Sequence, residues 1–181
     1  YDPGWKAIPL ISFDGKIDSD ANKEPSGEIR EIVSRFKKTL YLQKCPYMNE
    51  IIDSFCCPKL RTRLMKMAPG SNVPEHVDTQ GWRNGIARIH IPIVTNEKVY
   101  FFVNGQRALM KEGELWYLDV TKPHSVRNES DVTRVHLVID LAVNKFVRGF
   151  FPKESIKDQS ANYWYNKKRS VFHFLRVSGL T

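Results

Sequence analysis

T-R-V-H-L-V-I-D-L-A, Thr133 to Ala142, alternates in character from one residue to the next. Side chains on a strand point to opposite faces with a period of two, so Arg134, His136, Val138 and Asp140 share one face. Val135, Leu137, Ile139 and Leu141 share the other. I-A-R-I-H-I-P-I-V, Ile86 to Val94, repeats the arrangement, with Arg88 and His90 opposite Ile89, Ile91 and Ile93. The polar face of such a strand ordinarily meets solvent. Two strands that each place arginine two residues before histidine, against a fully aliphatic side, point instead to a charged interior that binds an anion.

Outward from these two segments, Arg61 to Met67, Lys98 to Val103, Arg107 to Met110 and Glu114 to Asp119 read as further short strands. The turn signals A-P-G-S-N, T-N-E, N-G, E-G and T-K-P separate them. Ahead of them lie a short strand around W-K-A-I-P-L-I and a polar loop. Ile29, Ile32, Val33 and Phe36 then mark one face of a helix, with Ser26 as its N-cap. Met48, Ile51, Ile52 and Phe55 repeat that spacing from Pro46, and Pro58 ends it. Helices followed by about six strands predict a mainly β fold with flanking helices, a jelly-roll or double-stranded β-helix barrel of cupin-like type. The expected organisation is a single domain over 1–181. It has an N-terminal strand and helices over 1–58, a barrel core over 59–143 and an aromatic, basic extension over 144–181. That extension carries Phe146, Phe150, Phe151, Tyr163, Trp164 and Tyr165. Two roles stay open for it, a helix packed on the barrel or a cover over the site.

A chain of 181 residues with 41% hydrophobic and 27% charged residues suits one soluble core. No apolar run approaches the roughly 20 residues that span a bilayer, so no membrane partner is expected and a cytoplasmic location is. A targeting segment or a domain ahead of Tyr1 is left open. Cys45, Cys56 and Cys57 are odd in number and form no Cys-x-x-Cys pair. They exclude a disulfide framework and fit thiols in a reducing compartment. The net charge of +8 favours anionic partners. The basic residues are scattered, with local density at Arg61 to Lys66 and Lys167 to Arg169. No nucleic-acid partner is expected from that pattern, which lacks a basic stripe with aromatic platforms. No oligomeric state follows from it.

His76-x-Asp78 and the distant His124 carry the chemistry. On extended backbone His76 and Asp78 point the same way, and His124, after Pro123 at the end of a strand entering the barrel, closes the set. Two imidazoles and one carboxylate on one face are the ligands of non-haem iron(II) oxygenases, which keep positions open for co-substrate and oxygen. Structural zinc takes four protein ligands. Arg134 follows His124 by ten residues. A planar guanidinium matches the far carboxylate of 2-oxoglutarate through two parallel hydrogen bonds, which lysine does not. A divalent-metal cupin of hydrolytic or isomerising chemistry would use the triad without Arg134. A metal-binding cupin-like module without oxygenase activity is the remaining alternative.

R-I-H-I-P-I-V from Arg88, G-E-L-W-Y-L-D-V-T-K-P-H-S-V-R-N from Gly113 and T-R-V-H-L-V-I-D from Thr133 stand in this order. Over roughly Pro46 to Val143 the chain resembles the aspartyl/asparaginyl β-hydroxylase family of iron(II)- and 2-oxoglutarate-dependent oxygenases. That family includes bacterial hydroxylases of free proline, and P-Y-M-N-E-I-I from Pro46 looks like theirs. The resemblance implies Fe(II) on His76, Asp78 and His124, with O2 and 2-oxoglutarate as co-substrates. It implies Arg134 on the far carboxylate of 2-oxoglutarate, Arg88 and His90 around its chelating end or nearby, and Met67 on the pocket wall. Met65 stands where vertebrate members have a serine. Those members dispense with the metal carboxylate, whereas the proline hydroxylases keep His-x-Asp, so Asp78 points to the amino-acid branch. The implied reaction hydroxylates an unactivated C–H and releases succinate and CO2. Its implied substrate is a free amino acid or small derivative, ahead of Asp or Asn residues in a peptide. An amino-acid carboxylate needs a cation. Arg83 and Arg127, with Trp82 beside them, lie near the ligands in expected mouth loops, although a solvated surface position is the commoner fate of each arginine. Trp116 and Tyr117 read as core, His136 as pocket or core, and His173 as unmarked.

Overall fold

Alternation in the chain becomes two chemically distinct faces of a sheet. The computed structural model describes residues 4–18, 29–151 and 171–176, with backbone alone at 29–30 and 171–176. Seven antiparallel strands form the larger sheet. Their order is β11 (Val171–Arg176), β8 (Glu114–Leu118), β5 (Ile86–Val94), β10 (Arg134–Ala142), β3 (Lys59–Met67), β1 (Trp5–Phe13) and β2 (Phe36–Lys38). Four more form the smaller sheet in the order β4 (Asn72–His76), β9 (His124–Asn128), β6 (Val99–Val103) and β7 (Gln106–Ala108). The result is the expected mainly β jelly-roll barrel with flanking helices.

The aliphatic side of β5 and β10 is the outer face of the larger sheet. Ile89, Ile91, Leu137, Ile139 and Leu141 are buried there with Leu42 of α2 (Leu40–Gln43), Ile52 of α3 (Pro46–Asp53) and Val147 of α4 (Lys145–Arg148). Burying each such side chain is worth roughly 1.5–3 kcal/mol, which anchors the helices; α4 is also capped by Asn144, whose side chain accepts from Val147 N–H at 3.0 Å. A second apolar cluster joins the two sheets through Met67, Phe101, Val103, Leu118 and Val126. The arginine and histidine side of the larger sheet turns toward the smaller one.

Several elements depart from expectation. Helix α1 stops at Ser34 (Ile29–Ser34), and Phe36 lies on β2 instead. Pairing of Phe36 to Lys38 with the end of β1, and an edge contact of Phe36 with Phe13 at 5.8 Å, replace the helical continuation. Helix α3 ends at Asp53, five residues before Pro58, closed by Ser54, whose hydroxyl donates to Ile51 O at 2.7 Å. His124 begins a strand rather than ending one. Trp82 is not at the mouth. It is buried in the outer core, stacked on Phe151 at 4.7 Å, because its ring completes the apolar cluster around Tyr117. The extension therefore begins by packing on the barrel, through α4 and Phe151, and β11 adds a strand beside β8. Ser26 and the aromatic residues 163–165 lie outside the described residues, as do the side chains of 171–176. Among the described residues, no helix is long and apolar enough to cross a membrane.

Candidate metal centre and anion cavity

Strands β4 and β9 pair so that His76 and His124 are register partners, which places their rings 4.2 Å apart between centroids. Asp78 follows two residues after His76 and is tied to the connection between β8 and β9. Its backbone N–H donates to Val120 O at 2.9 Å. Gly81 lets this segment lie close to the loop before His124. A β-carbon there would sit 2.6 Å from the Thr121 methyl. One donor atom from each of His76, Asp78 and His124 lies within 4.8 Å of the others.

The hydrogen bonds around these groups aim them. His76 Nδ1–H donates to Pro74 O at 2.8 Å and His124 Nδ1–H donates to Lys122 O at 3.0 Å. Each proton is thereby fixed on Nδ1, and each Nε2 keeps its lone pair for a metal. Burial, followed by the neighbouring His76, pulls the His124 imidazole below its ordinary range against the Lys122 hydrogen bond. It is therefore neutral, as a ligand must be. One carboxylate oxygen of Asp78 accepts from Arg88 Nη1, and the other, Oδ1, faces His76 Nε2 at 3.9 Å. Two open imidazole nitrogens and one open carboxylate oxygen are a donor set suited to a divalent cation with vacant positions.

Arg88 is itself gripped from behind. Its Nε and Nη2 donate to the two oxygens of Asp140, at 2.7 and 2.9 Å, in a fork-to-carboxylate pair. Burial pulls this guanidinium's pKa down, but Asp140 and Asp78 outweigh it and raise it above the ordinary value. Arg88 is thus held between two carboxylates, one of them a candidate metal ligand.

A cavity of about 760 Å3 opens between the sheets, lined by His76, Asp78 and His124 on one side and Arg88, His90 and Arg134 on the other. Arg134 is 2% exposed. Its Nη2 donates to His136 Nδ1 at 2.6 Å, and its Nε has no partner among the described residues. Because a guanidinium only donates, that bond fixes the His136 proton on Nε2 and makes the ring neutral. Burial alone pulls Arg134 down to about 9, a measure of solvation lost and not replaced. His90 is also buried, its two ring nitrogens without hydrogen-bond partners among the described residues, and it meets Phe101 edge-on at 5.6 Å. Burial, then Arg134 and Arg88, hold it well below its ordinary range.

Of the residues singled out in the sequence, His76, Asp78, His124, Arg88, His90 and Arg134 come together on this cavity. Met67 does not line it. It is wholly buried in the apolar cluster beneath, and Met65 supplies the wall, since Met67 faces Phe101 where the sheets close. His136 is buried behind Arg134. Arg83 lies over the Trp82 ring at 4.6 Å, and Arg127 pairs with Glu129 at 3.2 Å on the exposed side of β9. Neither is on the cavity. Sequence reasoning placed Asp140 on the Arg134 face of β10 without giving it a role, and it gave none to Arg61 or Arg63. Parity along β3 would have found the latter two, which share a face with Met65.

The sequence profile described as aspartyl/asparaginyl beta-hydroxylase matches residues 1–143. Among curated relatives, an L-proline cis-4-hydroxylase of Rhizobium meliloti (strain 1021) is 30% identical over 148 residues, covering 81% of this chain and 50% of that protein. An L-proline cis-3-hydroxylase of Streptomyces sp is 27% identical over 158 residues, covering 85% and 51%. An ornithine lipid ester-linked acyl 2-hydroxylase of Rhizobium tropici is 31% identical over 143 residues, covering 77% and 42%. The chain spans about half the length of the curated relatives it matches. On the strength of a match covering most of its length, this chain belongs to the aspartyl/asparaginyl β-hydroxylase family.

Proposed function

We propose that this chain is the oxygenase domain of an iron(II)- and 2-oxoglutarate-dependent hydroxylase whose substrate is a free amino acid or a small derivative of one. The observation that carries this reading is Arg134, a buried guanidinium without a counter-anion, facing the same cavity as two open imidazoles and a carboxylate. An isolated buried charge costs several kcal/mol, so a cation kept in this state implies an anion that arrives to meet it. The far carboxylate of 2-oxoglutarate is that anion. A plain hydrolytic cupin has no use for it.

In this reading His76, Asp78 and His124 hold the metal. Bound iron(II) supplies oxygen activation coupled to decarboxylation of the 2-oxo acid to succinate. The protein's own work is placement. Arg134 fixes one end of the co-substrate so that its 2-oxo acid end lies toward the triad. His90, neutral and with two unpaired nitrogens, is available to the chelating carboxylate. Arg88 keeps one oxygen of Asp78 occupied, so the carboxylate is left one oxygen for the metal. Met65, Phe101 and Val126 add apolar wall to the cavity.

The test is succinate formation by the purified protein with iron(II), ascorbate and 2-oxoglutarate, over a panel of free amino acids including L-proline and of Asp- and Asn-containing peptides. Turnover stimulated by one free amino acid, with a product heavier by one oxygen and lost in His124→Ala, is the expected result. Stimulation by peptides alone overturns the substrate class. No succinate above the His124→Ala background overturns the oxygenase.

A further inference from the structure

Arg134 is not the only cation on the cavity without a counter-anion among the described residues. Arg63, on β3, lines the same cavity, its Nε is buried with no hydrogen-bond partner, and no hydrogen bond joins it to any described residue. Its nearest anion is Asp140, but both oxygens of Asp140 already accept from Arg88. Burial, only partly offset by Asp140 and worsened by Arg88, pulls Arg63 down to about 10. Arg61, two residues earlier on the same face of β3, lines the cavity as well. Among the described residues, Arg63, Arg88 and Arg134 thus face two carboxylates, Asp78 and Asp140, on this cavity and its backing, and both carboxylates already accept from Arg88.

Strand register separates the two unpaired cations. Arg134 pairs across from Met67, whereas Arg63 pairs across from Val138, four residues further along β10. At about 3.3 Å per residue the two backbones are roughly 13 Å apart, with Met65 and His136 between them. One dicarboxylate reaching from Arg134 toward the triad leaves Arg63 unmet. The Arg63 end of the cavity lies beside the Arg88–Asp140 pair, because Val138 and Asp140 are neighbours on one face of β10.

We infer that Arg63 is the docking residue for a carboxylate of the second substrate, so that the molecule to be hydroxylated is an acid anchored at the opposite end of the cavity from the 2-oxoglutarate carboxylate. This rests on the oxygenase reading of the site. It moves the cation that an amino-acid substrate requires from the surface arginines Arg83 and Arg127 to a half-buried one inside the cavity. A guanidinium withdrawn from solvent discriminates, because a neutral amide in place of the carboxylate leaves the charge unpaired.

The experiment is calorimetric titration of the zinc-loaded protein, first with 2-oxoglutarate and then, at saturation, with free amino acids including L-proline, each beside its amide (L-prolinamide for L-proline). Acetate and propionate serve as bare carboxylate probes. The expected result is binding of at least one acid, with its amide weaker by roughly 30-fold or more. Arg63→Met and Arg63→Gln lose a similar factor for the acid and keep their 2-oxoglutarate affinity, and Arg63→Lys recovers part of it. Equal binding of acid and amide by the unaltered protein overturns the inference and needs no variant. So does unchanged acid affinity in folded Arg63→Gln, or no binding by any carboxylate once 2-oxoglutarate is bound. If 2-oxoglutarate itself fails to bind, or binds without regard to Arg134, the oxygenase reading falls first.

Discussion

At the scale of single residues, the cavity separates charges that are held from charges that wait. Arg88 is held, with three hydrogen bonds to two carboxylates, whereas Arg134 meets a neutral histidine and the face of Phe101 but no anion among the described residues. The guanidinium keeps its proton at all working pH, so the protein without ligand bears the cost of its burial. Arg134→Leu is expected to stabilise the metal-free, ligand-free protein by about 1–3 kcal/mol, read from urea unfolding, while abolishing 2-oxoglutarate binding and sparing the metal. Wild-type 2-oxoglutarate affinity in that variant would end its assignment. Asp140 touches no proposed ligand, but it holds Arg88 against Asp78. Asp140→Asn is expected to weaken Co(II) affinity by roughly 10–100-fold, measured by competition with a chelator. The same change in an Asp78→Ala background is expected to do little more. An equal loss in both backgrounds would show that Asp140 acts through the fold at large and not through Asp78.

At the scale of elements, the metal centre depends on two loops being pressed together. The segment after β4 is pinned to the β8–β9 connection by Asp78 N–H to Val120 O, and Trp82 N–H donates to the Tyr117 hydroxyl at 3.3 Å. Gly81 sits at the closest approach, with extended backbone, so its role is space and not a rare dihedral. Gly81→Val is expected to push Asp78 away from His124 and to cost at least tenfold in metal affinity, by the same chelator competition. The barrel itself, monitored by far-ultraviolet circular dichroism, is expected to persist, because β5 and β10 hold it from the other sheet. Undiminished metal binding in the folded variant would show that the loops tolerate separation. Strands β5 and β10 were legible from alternation, and β5 falls on the expected residues. Strands β4 and β9 were not, because N-V-P-E-H and H-S-V-R-N have no aliphatic face. They are strands only because they pair with each other and with β6.

At the scale of the whole molecule, one sheet carries apolar packing on one face and the ligand-binding face on the other, and this sets its response to acid. His90, His124 and His136 are each held below their ordinary range, burial being the first cause in all three. Their folded-state pKa values lie below the unfolded value of about 6.5, so the unfolded chain takes up more protons as pH falls below it. Stability of the metal-free protein is therefore expected to be undisturbed by these groups above about pH 6.5 and to decline progressively below it. Melting temperatures from pH 8 to pH 5 test this, and a flat profile would show that the rings are charged or hydrated in the folded state. Sequence by itself determined the two-faced strands, the candidate ligands His76, Asp78 and His124, the candidate anion clamp at Arg134 and the family, because a period of two and an ordered series of short motifs are read directly along the chain. Tertiary structure alone decided which cations are already paired. Asp140 and Arg88 lie 52 residues apart and meet only across β5 and β10, and that meeting leaves Arg63 unpaired. Parity along one strand fixes which way a side chain points, but pairing between strands fixes which charge it finds there.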